Sequence, residues 1–176
     1  MFHWFKYNEN KYISMRTIEN TTSSNNPINE KSIRSYIKKI HMILGDEIFT
    51  VKSIKTRGLN DLDVLGFGNK FTEYLLEITD AHMSDVSGEN DERIKLFSFG
   101  KKPTLGDLIK QIVEPEGLKD LNDVKDDLFS IYGIDVNKAV IIRSVRNTTL
   151  KYEESIEKIY VSNEDMRRYA NGGKYN

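Results

Sequence analysis

The sequence predicts an α+β fold: a single domain in which a mostly antiparallel sheet of about four to six strands packs against two or three helices. Three observations carry this expectation. Short β-branched or aromatic runs bounded by turn residues recur along the first hundred positions, and amphipathic stretches at helical spacing follow Pro27 and Thr104. The strand–hairpin–helix order also does not match the regular alternation of βαβ winding.

Residues 2–17 mix aromatic and polar side chains, with Phe2, Trp4, Tyr12, Ile13 and Met15 the large ones. One or two strands around the turn Asn8-Glu9-Asn10 are expected, their rings facing the sheet interior. Thr21–Asn26 is a polar loop. A helix follows, capped by Asn26, with Pro27 in its first turn and Gly45 at its end. Ile33, Tyr36, Ile37, Ile40, Ile43 and Leu44 form its apolar stripe, while Lys31, Arg34, Lys38 and His41 share the opposite face.

Glu47–Lys55 is short and β-branched and reads as a strand. Arg57–Lys70 is turn-rich. Its Gly66-Phe67-Gly68-Asn69-Lys70 run lacks the GxxxxGK[ST] pattern, and a strand-like run follows it, so it reads as a turn or bulge rather than a phosphate loop. Thr72–His82 reads as a strand, with a helix over 71–81 as the competing reading. Glu92–Phe99 reads as its hairpin partner across a long acidic loop, Ser84–Asp91.

Thr104 with Asp107 caps the next helix, whose stripe is Leu105, Leu108, Ile109, Ile112 and Val113. A second helix carries Leu118, Leu121, Val124, Leu128, Phe129 and Tyr132 and closes at Gly133. Its acids Asp120, Asp123, Asp126 and Asp127 do not fit an EF-hand loop and read as a solvated face. Val136–Val145, with Ala139–Ile142 at its centre, reads as a strand buried on both faces. Residues 152–160 suit a short docking helix, or a strand over Lys158–Val161, and Ser162 with Asp165 caps a last turn. The expected division is one globular domain over residues 1–150 and a C-terminal extension over 151–176, partly helical with a frayed end.

Lys plus Arg, 26 in all, nearly cancels Asp plus Glu, 27 in all, leaving a net charge of −1. That balance argues against a dedicated nucleic-acid coat, since phosphate binding usually demands a basic excess. Cysteine is absent, which removes disulfides, thiolate nucleophiles and cysteine-ligated metals. No run approaches the roughly 18 apolar residues of a membrane span. The N-terminal residues do not resemble a secretory signal. The expectation is a soluble, cytoplasmic protein with no membrane partner and no cofactor. The abundance of Ile, Lys, Asn and Tyr fits an AT-rich genome, such as that of a low-GC bacterium, its phage or a mobile element.

Asp80, His82, Asp85 and Glu89 are the one tight gathering of potential metal ligands or acid–base groups. On a strand, Asp80 and His82 share a face, and imidazole with carboxylates suits a zinc-like ion with an open position for water. This supports one alternative, a metal-dependent hydrolase at Asp80, His82 and Asp85. A second alternative is nucleic-acid binding through Lys31, Arg34, Lys38 and Lys39. The leading expectation is a non-catalytic protein-binding module, such as an inhibitor or immunity-type protein that occludes another protein. Exposed arginines and tyrosines anchor such contacts, which singles out Arg143, Arg146, Tyr152, Tyr160, Arg167, Arg168 and Tyr169.

Overall fold

The structure, a computed structural model, describes residues 4–8, 11–21, 28–59, 68–89 and 92–172. These residues form an α+β fold with eight α-helices and seven short strands. The strands fall into sheets of two, two and three strands rather than one sheet, and helix carries more of the chain than expected. Two compact units result, Met1–Met83 with Phe97–Lys102 and Ser84–Leu96 with Pro103–Asn176.

The first unit opens with the antiparallel pair β1 (Trp4–Asn8) and β2 (Lys11–Ser14), then α1 (Met15–Thr21). The pair is the one expected around Asn8-Glu9-Asn10, but Trp4 and Tyr12 do not face a core. Trp4 is 61% exposed and Tyr12 57%. The register explains it: Trp4 stands opposite Ser14 and so shares a face with Tyr12, while Ile13 lies on the other face. Ile13 packs against Met15, Ile18, Ile28, Ile33, Phe71 and Leu75. Phe2 lies outside the described residues.

Helix α2 (Glu30–Leu44) is the longest element. Asn29 caps it, its side chain accepting the Ser32 N–H while the Ser32 hydroxyl accepts the Asn29 N–H, both at 2.9 Å. The expected Asn26 cap and Pro27 lie outside the described residues. Ile33, Tyr36, Ile40 and Leu44 are buried as the stripe required, Ile37 is half-buried, and Ile43 is exposed. Gly45 ends the helix at φ 54°, a conformation that favours glycine.

The strand expected over Glu47–Lys55 is instead helix α3 (Val51–Thr56). Thr50 and Ser53 exchange cap hydrogen bonds, and this local satisfaction overrides the β propensity of Val51 and Ile54. Strand character survives at one residue, where Phe49 exchanges two 2.9 Å backbone bonds with Phe97. The strand expected over Thr72–His82 is likewise helix α4 (Asn69–Glu77). Phe71 with Leu75, and Thr72 with Leu76, are buried at i, i+4, so the helical period governs the segment. Residues 60–67, which hold most of the expected turn-rich stretch, lie outside the described residues.

The hairpin exists with a shifted first strand. β3 (His82–Ser87) pairs with β4 (Arg93–Ser98) through residues 88–92, so half of the expected acidic loop is strand. The Gly88 N–H donates to the Glu92 carbonyl at 2.8 Å, and the Glu89 N–H to the Asp135 carbonyl at 2.7 Å.

The second unit is built on α5 (Leu105–Val113), α6 (Leu121–Ser130) and α7 (Lys138–Arg146). Thr104 caps α5 as expected. Residues 118–120, expected within the second helix, form β5 (Leu118–Asp120) instead, and Asp120 caps α6. The central strand expected over Val136–Val145 is helix α7, with Asn137 accepting the Val140 N–H at 3.0 Å. Its apolar run buries only Ile141 and Val145, one helical turn apart. β6 (Lys151–Glu153) and β7 (Lys158–Tyr160) complete an antiparallel sheet in the order β5-β7-β6, so residues 152–160 take the strand reading. Ser162 and Asp165 cap α8 (Asn163–Ala170) as expected.

Helices α5 and α7 touch where α5 has a glycine. A Cβ on Gly106 would stand 2.7 Å from the Thr148 methyl and 2.8 Å from the Ser144 carbonyl oxygen. Alanine is the better helix former, so propensity alone predicts stabilisation of about 1 kcal/mol from Gly106→Ala. Overpacking against a backbone oxygen outweighs it, and the variant is expected to lose about 1–3 kcal/mol. Urea unfolding checks this; an unchanged or raised midpoint would show that the helices give way freely.

Candidate functional site

The Asp80, His82, Asp85 and Glu89 set does not assemble. Asp80 stands in the turn after α4, His82 opens β3, and all four side chains are exposed. Among the described residues, no three His, Asp or Glu side chains gather closely enough to hold a metal ion. The expected strand that placed Asp80 and His82 on one face is replaced by a helix and a turn, which removes the geometric basis of that reading.

The seven expected contact residues all lie in the second unit, but on different surfaces. Arg143 and Arg146 are exposed on α7. Tyr152 pairs with Ile159 across β6 and β7, so it points to the sheet face that carries the buried Ile159. Tyr160 and Lys158 point to the other face, where the Tyr169 ring lies 5.3 Å from the Lys158 amino group. Arg167 and Arg168 are exposed on α8, and Arg168 is held by Glu164 at 2.7 Å.

Lys158 belongs to a charged network that sequence reading passed over. Its amino group donates to the Asp120 carboxylate at 3.1 Å, across the β5–β7 pair. Lys119, on the opposite face, meets Glu116 and Asp127. The Asn122 N–H and the Lys158 amino group hold the Asp120 carboxyl below its usual range. Asp120 in turn raises Lys158, and Glu116 raises Lys119. Burial raises the Tyr152 phenol, helped by Glu157 and Glu154. The network ties β5, β7 and α6 together, and its groups saturate one another. The only advance signal was the Asp120/Lys158 pair of opposite charges, 38 residues apart.

The basic face of α2 is the expected surface that the structure does bring together. At about 100° per residue, Lys31, Arg34, Lys38 and His41 fall within one third of the helix circumference, while Lys39 stands about 100° further round from Lys38. Beside this face, in the first unit, lies a groove of about 550 Å³. Ile33, Ile37, Ile78 and Phe99 give it an apolar floor, Arg34, Lys38 and His41 line it from α2, and Thr79 and Asp80 line it from the turn after α4. The His41 ring stacks on Phe99 with centroids 4.4 Å apart, extending the floor toward the rim. Arg34 is held by Glu30 at 2.6 and 3.1 Å. Among the described residues, Lys31, Lys38 and Lys39 have no ion-pair partner. Met42, 77% exposed, and Ile43 continue the open surface at the end of α2. The volume falls within the roughly 300–1,000 Å³ of small ligand sites. The arrangement can desolvate an apolar group while offering a cation at its edge.

The second unit's network has a definite pH signature. Asp120 is depressed, so its contribution is present above the usual aspartate pKa of about 3.9 and is lost as pH falls through the lower folded value. Lys119, Lys158 and Tyr152 are raised, so their contributions are present below about pH 10 and are lost as pH rises beyond it. Asp120→Asn keeps a capping side chain but removes the ion pair. It is expected to cost about 1–2 kcal/mol at neutral pH and to flatten the acid limb of the stability profile. Denaturant unfolding at neutral and acid pH measures both, and an unchanged acid limb would refute the assignment. Among the described residues no helix is long and apolar enough to cross a membrane. The chain matches no protein-family model, no curated protein and no solved structure.

Proposed function

We propose that this chain is a non-catalytic protein-binding module whose contact element is the exposed face of α2 with its adjoining groove. The observation that supports this reading is the apolar floor of Ile33, Ile37, Ile78 and Phe99 beneath the cations Arg34 and Lys38. Protein partners supply both apolar anchors and charges, and interface energy concentrates where an anchor is desolvated inside a polar rim. Such a surface acts by occupying a partner, which is the way an inhibitor or immunity-type protein works. A nucleic-acid surface would use the same cations but has less need of an apolar floor, and Glu30 and Asp80 flank the groove with charge of the wrong sign for a polyanion.

The test is co-purification from the source cells. A stoichiometric protein partner is expected with the wild-type chain, and its affinity is expected to fall about tenfold or more, at least 1.4 kcal/mol, in Lys38→Glu. Lys38 is exposed, so circular dichroism of the variant should match the wild type. The absence of any partner, or a partner indifferent to Lys38→Glu, would overturn the assignment of this surface.

A further inference from the structure

Resting on that reading, we propose that the groove takes an acidic segment of the partner protein, one that sets a large apolar side chain beside a single carboxylate. The volume of about 550 Å³ suits one or two side chains rather than a folded surface. Its floor is made of Ile33, Ile37, Ile78 and Phe99, with the His41 ring laid over Phe99, so an apolar side chain placed there leaves water without stranding a polar group.

The charge at the rim selects what accompanies that side chain. Arg34 is already engaged by Glu30, whereas Lys38 has no ion-pair partner among the described residues. A carboxylate at the edge of the groove meets the Lys38 ammonium where the adjacent apolar surface limits its hydration, which strengthens the attraction. An ammonium or guanidinium in the same place would meet Lys38 and Arg34 as like charges. A run of several anions would meet Asp80 in the groove lining and Glu30 bonded to Arg34. One carboxylate next to one apolar anchor is the combination that leaves no like charges in contact.

The test presents the full-length chain with a displayed library of random peptides and reads the enriched sequences. Enrichment of peptides that pair Asp or Glu with Leu, Ile, Met, Phe or Trp at neighbouring positions is expected. In a synthetic copy of the best binder, replacing the acid by its amide should weaken binding about tenfold, and Lys38→Glu should do the same to the wild-type peptide. Lys38→Glu should then accept a peptide whose acid is replaced by lysine, a rescue that a merely structural effect of the variant would not give. Enrichment of basic or purely apolar peptides, or failure of the charge exchange, would overturn the proposal. So would a single-stranded oligonucleotide that binds through Lys38 and displaces the peptide. A partner co-purified through Lys38 but not displaced by the acidic peptide would refute this inference and leave the binding reading standing. Finding neither partner nor peptide would end both.

Discussion

The hydroxyls of Thr50 and Ser53 each accept the other's backbone N–H, at 3.2 and 2.9 Å, and both residues are buried. A helix of six residues follows from that exchange. Isolated helices shorter than about 12–15 residues are marginal in water, so a short helix needs its first N–H groups satisfied and one face packed. The same constraint recurs through the chain. Asn29 and Ser32 open α2, Ser162 and Asp165 open α8, and Thr104, Asp120 and Asn137 open α5, α6 and α7. With these starts satisfied, Ile40, Ile54, Leu108, Val124 and Ile141 occupy buried places. Helix α4 begins on Gly68 without a side-chain cap and relies on packing of Phe71, Thr72, Leu75 and Leu76.

This dependence also explains which parts of the fold were legible in the sequence. α5 was readable because cap and stripe agree, α2 because its apolar stripe is regular over several turns, and α8 because Ser162 with Asp165 announces its start. Glu47–Lys55, Thr72–His82 and Val136–Val145 were misread as strands because each is a short run rich in Ile, Leu or Val. Over such lengths a period of 2 and a period of 3.6 select overlapping residues. The decisive information sat at the margin of two of these runs, in Thr50 and Asn137, whose side chains commit the backbone to a helical turn. Trp4 and Tyr12 were misplaced for a different reason. Alternation identifies two faces of a strand pair, but not which face the rest of the molecule covers.

The candidate site was half legible. Helical spacing alone groups Lys31, Arg34, Lys38 and His41, because i, i+3 and i+4 neighbours share a face wherever the helix lies. The floor beneath them was not legible. Ile78 and Phe99 come from the end of α4 and from just beyond β4, and no local pattern announces that these residues meet α2. The Asp80, His82 and Asp85 set failed for the converse reason. Closeness in sequence was its whole support, and a helix ending in a turn disperses neighbours that a strand would align.

Phe97 carries a consequence for how the protein is made. Its backbone is bonded to Phe49 and its side chain lies in the core formed by Tyr36, Ile40, Leu44, Ile54, Leu59 and Leu76. The chain therefore leaves the first unit after Met83, contributes Ser84–Leu96 to the second, and returns for Phe97–Lys102. On a ribosome, the first unit cannot close its core until a piece of the second has already been synthesised. A gene cut between the codons for Met83 and Ser84 would strand the aromatic pair on separate polypeptides, so the N-terminal half would lack a piece of its core while the C-terminal half keeps every residue of the second unit. The two units share one thread, and an N-terminal fragment is not a smaller version of the whole.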